Sequence, residues 1–158
     1  MLREETDGAS GIGGRVPEID TERNLAMYRA LTAAMGEGLV ASAHDCSDGG
    51  LAAAVAECCF GADARARLDI ANIMGDCTQI DSWGVLFGES LGRILVSVEP
   101  QHCAAFEGAM NGHACYALGE VEAGDQILIS NGDEAVLTAS MSSLRSAWKG
   151  ALDGGGPQ

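Results

Sequence analysis

The stretch Ser42-Ala43-His44-Asp45-Cys46-Ser47-Asp48-Gly49-Gly50-Leu51 decides the reading of this chain. Before it, Leu39 to His44 is short and apolar and predicts a strand. After it, Leu51, Val55 and Cys58 or Cys59 make one apolar stripe at helical spacing, and Ala52, Ala53, Ala54 and Ala56 permit close packing, so a helix is expected over 49–60. Two adjacent glycines thus join a strand end to a helix start. A helix N-terminus offers free backbone N–H groups and the positive end of a dipole, and glycine removes the side chain that would hold an anion off. The residues leave two readings open: a site for a phosphate or carboxylate, or a helix simply capped by Ser47 or Asp48. Asp45 and Asp48 repel a bare phosphate unless a divalent cation or protein donors intervene. His44 and Asp45 are strand neighbours that point to opposite faces, which argues against an acid–base dyad.

Working outward, Asp20 or Thr21 caps a helix over 21–36, in which Leu25, Tyr28, Leu31, Thr32 and Met35 follow helical spacing and Gly36 and Gly38 end the run. Strands are expected at Ala66–Ile70, Arg93–Val98, Cys115–Val121, Gln126–Ser130 and Ala135–Thr138, with the turn Glu122-Ala123-Gly124-Asp125 between the third and fourth. A helix is expected at Thr78–Phe87, another from Pro100, at its favoured first position, to Met110, and a last one at Ser140–Leu152, where Leu144, Trp148 and Leu152 are spaced by four. This irregular alternation predicts an α+β fold, a mixed β-sheet with helices packed on it, rather than a doubly wound sheet. Residues 1–15 read as a linker or truncated loop, 16–153 as the domain and 154–158 as a disordered tail.

Composition narrows the function classes. The 158 residues suit one domain, and the 47% of hydrophobic residues is ordinary for a globular protein. A net charge of −14, with Lys149 the lone lysine, argues against nucleic acid and anionic membranes as partners. No apolar run approaches the roughly 20 residues of a membrane span, and a cytoplasmic location is expected. Cys46, Cys58, Cys59, Cys77, Cys103 and Cys115 include no C-x-x-C pair and no zinc-like spacing, so they are expected as reduced, mostly buried thiols. His102 and His113 read as surface or packing histidines, and Trp83 and Trp148 as core or interface anchors. No metal site and no catalytic residue is assigned.

The run His44-Asp45-Cys46-Ser47-Asp48-Gly49-Gly50-Leu51-Ala52 resembles the S/D-D/E-G-G-L-A segment of the phosphoribosylformylglycinamidine synthase family, within the aminoimidazole ribonucleotide synthase-related superfamily. Other pieces agree in order: Val16-Pro17-Glu18-Ile19-Asp20 resembles the opening of that family's C-terminal domain, Gly38 to Ser42 leads into the glycine turn as it does there, Leu86-Phe87-Gly88-Glu89-Ser90-Leu91-Gly92-Arg93-Ile94-Leu95-Val96 resembles its F-G-E-S-x-x-R strand entry, and Ala117-Leu118-Gly119-Glu120-Val121 its late G-x-V piece. One departure is Cys46, where a small or β-branched residue is usual.

The resemblance implies a domain of an ATP- and glutamine-dependent C–N ligase of purine biosynthesis. ATP and magnesium would serve the complete enzyme, whose N-terminal ATP-binding domains and glutaminase are the absent partners; the isolated domain would require neither and would be inactive. It further implies the second half of the enzyme, with an auxiliary nucleotide site. Phosphate or nucleotide binding falls on Ser47, Asp48, Gly49, Gly50 and Arg93, with His44, Asp45 and Glu89 in support. Glu89 and Arg93 are four apart, which reads either as an ion pair fixing the strand entry or as Arg93 reaching an anionic ligand. Aminoimidazole ribonucleotide synthase, thiamine-phosphate kinase, selenophosphate synthetase and the hydrogenase maturation protein share the architecture and are the alternatives; a non-enzymatic dimerising module is another. An exposed apolar face and homo-oligomerisation are expected.

Overall fold

The computed structural model describes residues 19–61, 64–77 and 80–152. The expected linker at 1–15 and tail at 154–158 lie outside the described residues. The first element is helix α1, Thr21–Gly36, whose N-cap Asp20 accepts a hydrogen bond from the Arg23 N–H at 2.9 Å. Strand β1, Ser42–Asp45, pairs antiparallel with β3, Ile94–Ser97, as a two-stranded ribbon. The rest of the sheet structure is a four-stranded mixed sheet. Its order is β4 (Gly119–Ala123), β2 (Ala64–Asp69), β5 (Gln126–Asn131) and β6 (Glu134–Ser140). β2 runs antiparallel to β4 and parallel to β5, and β5 runs antiparallel to β6 with an irregularity at Ile129/Ser130. Helices α2 (Gly50–Phe60), α4 (Ser82–Phe87) and α6 (Met141–Leu152) pack on this framework; α3 (Ala71–Asp76) and α5 (Cys103–Ala109) complete the set, α5 entered through a 3₁₀ turn at Pro100–His102. The fold is α+β, as the sequence predicts.

Strand alternation sets the cores. Ala66 and Leu68 of β2 and Ile127 and Ile129 of β5 point to one face, where they are buried with Leu51, Ala54, Val55 and Cys59 of α2, Val85 and Leu86 of α4, and Met141. A second core joins Leu31 and Ala34 of α1 to Phe106 of α5 and Met110. The β1–β3 ribbon divides them: Leu95 packs against the first core, its neighbours Ile94 and Val96 against the second. On the other sheet face Arg65 lies opposite Glu122 and donates to it from Nε at 2.9 Å. β4 is exposed along its whole length, and its short, acidic sequence suits an edge strand.

Four expectations are corrected. The helix expected over 78–87 starts at Ser82, where Asp81 caps it by accepting from the Gly84 N–H at 2.8 Å; a separate helix, α3, precedes it. Residues 115–118 are not in a strand, because the β4–β2 pairing begins only at Gly119, opposite Leu68. The six cysteines are free thiols, but only Cys46 and Cys59 are buried; Cys77 is intermediate and Cys58, Cys103 and Cys115 are exposed. Trp83 and Trp148 are half-exposed rather than core residues.

Candidate functional site

The glycine turn lies where α2 meets the loop after α4, and two main-chain features force that meeting. Gly49 and Gly50 have φ of 79° and 65°, a left-handed conformation that glycine alone adopts cheaply. Gly50 is also wedged against the end of α4: a Cβ there would stand 2.8 Å from the carbonyl oxygens of both Leu86 and Gly88. Gly50 is therefore glycine because backbone packs on it, and not because a ligand approaches it. The chain turns by a bond from Gly50 N–H to the Ser47 carbonyl at 3.0 Å, and the β1–β3 pairing is prolonged by one from Cys46 N–H to the Arg93 carbonyl at 2.9 Å.

The donors expected to meet an anion are engaged within the chain. The Gly49 N–H donates to Glu89 Oε1 at 2.9 Å, so a carboxylate of the protein stands at the α2 N-terminus. The Ser47 hydroxyl donates to Asp45 Oδ2. That bond, aided by the Asp45 backbone, holds the Asp45 carboxyl below its ordinary value. The Arg93 guanidinium donates to the carbonyls of Gly88 at 2.9 Å and Val85 at 2.8 Å, closing the C-terminal end of α4. Glu89 and Arg93 thus take different partners, and the ion pair expected between them does not form. His44 places Nδ1 2.7 Å from the Asp45 backbone carbonyl and Nε2 3.3 Å from Glu57 Oε2, so its acidic partner is the exposed Glu57 of α2 and not the Asp45 side chain. Asp48 is exposed. Burial pushes the neighbouring Cys46 thiol up, against the pull of the Arg93 charge.

All eight predicted residues, His44, Asp45, Ser47, Asp48, Gly49, Gly50, Glu89 and Arg93, therefore fall in one place, where two sequence segments cross. Sequence reasoning missed Glu57, Val85 and Gly88, which hold His44 and Arg93. For Glu57 a signal existed, an acidic residue on the helix that follows a strand-end histidine; backbone acceptors leave no such trace. Among the described residues no three His, Cys, Asp or Glu side chains group as metal ligands would. The described residues do not fit a magnesium site. No helix among the described residues is long and apolar enough to cross a membrane.

Residues 1–130 match the family model described as AIR synthase related protein, C-terminal domain. This chain belongs to that family. Solved structures share the fold of the AIR synthase related C-terminal domain seen here. Phosphoribosylformylglycinamidine synthase II from Thermotoga maritima matches at a TM-score of 0.71 and 19% identity, over 82% of this chain and 22% of that one. T. maritima PurL complexed with FGAR matches at 0.73 and 20% identity, over 90% and 24%; PurL complexed with ATP matches at 0.66 and 20%, over 75% and 21%. The chain thus spans about a quarter or less of the proteins it matches.

Proposed function

We propose that this chain is the C-terminal domain of a phosphoribosylformylglycinamidine synthase, acting within an ATP- and glutamine-dependent ligase that forms an amidine in purine biosynthesis. The observation that carries the reading is the crossing of the two family-like segments. The D-G-G-L turn at 48–51 and the G-E-S-x-x-R segment at 88–93 are joined by the Gly49–Glu89 bond and by the Gly50 wedge. The match to T. maritima PurL with FGAR over 90% of this chain supports it. In the complete enzyme, Ser47, Asp48 and Gly49 face the phosphate-bearing or nucleotide ligand, while Gly50 and Arg93, packed on the end of α4, hold the turn in place behind them. An anion takes the Gly49 N–H only after Glu89 lets go of it. The ATP-binding domains and glutaminase are the partners this reading requires.

The test uses the 158-residue chain beside a longer product of the same gene that includes its neighbouring coding sequence. With ammonium supplied as the nitrogen donor, ATP- and FGAR-dependent phosphate release is expected from the longer product and not from the chain alone. Turnover by the chain itself, or a longer product that turns over ATP with a different acceptor, overturns the proposal.

A further inference from the structure

Four large apolar side chains within residues 80–91 are exposed: Ile80 by 48%, Trp83 by 52%, Phe87 by 41% and Leu91 by 65%. The sequence of α4 explains the arrangement. Val85 and Leu86 turn into the core, which leaves Trp83 and Phe87 on the outer side. Their rings stack, with centroids 5.5 Å apart and planes 16° from parallel. Ile80 lies over Gly84 and leaves no room there for a Cβ. Large apolar side chains exposed together, two of them stacked on one another, mark an interaction site, whereas scattered single ones need no explanation.

Charge indicates what covers it. Asp81 stands at the start of α4 and Glu89 just past its end, the latter fixed to Gly49 beside the exposed Asp48. Residues 80–93 contain a single basic side chain, Arg93, and it is turned onto the carbonyls of Val85 and Gly88. A second copy of a chain with net charge −14 would set the same carboxylates against these, a repulsive juxtaposition. A positive surface would be steered toward them. Stacked aromatic faces also attract guanidinium groups, and Trp and Arg dominate the energetics of protein interfaces. We propose that the Trp83–Phe87 face docks a protein partner with a cationic contact surface, arginine side chains lying on the exposed rings and basic residues meeting Asp81 and Glu89.

The test uses the whole chain in a Trp148→Phe background, so that Trp83 is the sole emitter. The probes are two synthetic peptides of equal apolar content, one bearing arginines and the other glutamates in their place. The arginine peptide is expected to shift Trp83 emission saturably, with affinity falling as salt rises. The glutamate peptide is expected to leave it unchanged. Trp83→Ala with Phe87→Ala, which leaves the net charge as it is, should weaken the arginine peptide at least tenfold by calorimetry. Leu91→Ser, outside α4, should weaken it severalfold with an unchanged melting curve. Equal binding by the double variant, with Leu91→Ser also unaffected, would mean attraction to bulk charge only and overturns the proposal. So does a Trp83 shift that grows with chain concentration in the absence of peptide, which would make a second copy the occupant.

Discussion

The Gly49 N–H and the Glu89 carboxylate, forty residues apart in sequence, meet at 2.9 Å. The carboxylate stands at the positive end of α2, where an anionic group is electrostatically favoured. It also ties the start of α2 to the loop that leads into β3. Glu89→Ala should cost about 1 kcal/mol, the usual worth of an exposed cap. The melting temperature should drop by roughly 3 °C. Glu89→Gln keeps an acceptor and should recover part of that loss. Thermal melts of the three proteins in parallel check the order, and an alanine variant as stable as the parent would show that the bond contributes nothing.

Gly50 is expected to be the least replaceable residue of the turn. Gly50→Ala combines a left-handed φ with overlap against the backbone of 86–88, and should cost about 3 kcal/mol or more. At Gly49 the added Cβ meets the Ala53 methyl instead, at 2.7 Å, so Gly49→Ala should cost less. Urea denaturation of both variants measures the difference, and equal midpoints would contradict the wedge.

Acid should loosen the turn that joins β5 to β6. Asp69 accepts from the Gly132 N–H at 3.0 Å and the Ala71 N–H at 2.9 Å. These bonds, Gly132 foremost, hold its carboxyl below the ordinary value. A carboxyl depressed in the folded state stabilises fully above its unfolded pKa, near 3.9, and its contribution is lost as pH falls through the folded value. Stability measured from pH 7 downward should therefore hold until about pH 4 and then decline. Asp69→Asn should flatten that decline while lowering stability at neutral pH. An unchanged acid slope would remove Asp69 from the explanation.

Tyr116 should titrate late. Its hydroxyl donates to Asp76 Oδ2 at 2.7 Å, and this bond to a carboxylate, with burial, pushes the phenol up to about 12. A phenol raised in the folded state adds stability that is complete below its unfolded pKa near 10 and disappears as pH climbs through the folded value. Ultraviolet titration in a Tyr28→Phe background isolates this residue, since the chain has two tyrosines. Asp76→Asn should bring the midpoint down toward 10, and a midpoint that stays in place would mean that another group holds the phenol.

What sequence reveals here follows the range of each signal. α1 is legible at both ends because Asp20 and Gly36 are local stop signs. β3 is legible because Ile94, Leu95 and Val96 are apolar whichever core they enter. α3 carries no apolar period, and it is formed by what surrounds it: Asp69 accepts from the Ala71 N–H, and Ile73 and Met74 pack beside the main core. β4 begins at Gly119 because β2 pairs with it there, a fact that belongs to β2 as much as to β4. The same limit governs the site. The glycine turn is conspicuous, and so is the Glu89–Arg93 spacing, but nothing local says that Glu89 reaches Gly49 while Arg93 reaches Val85 and Gly88.

The partition made by β3 has a consequence for how this chain tolerates changes in length. Since Leu95 faces one core and Ile94 and Val96 the other, adding or deleting one residue between Gly88 and Arg93 would exchange the contents of the two compartments. The same change would pull Arg93 away from the α4 carbonyls it closes. An insertion after Asp133 exchanges no core side chains, because it lies at the outer end of the β5–β6 hairpin and leaves the Gly132 N–H on Asp69. A survey of viable one-residue insertions along the chain should therefore find a gap over 88–93 and a permissive position after Asp133.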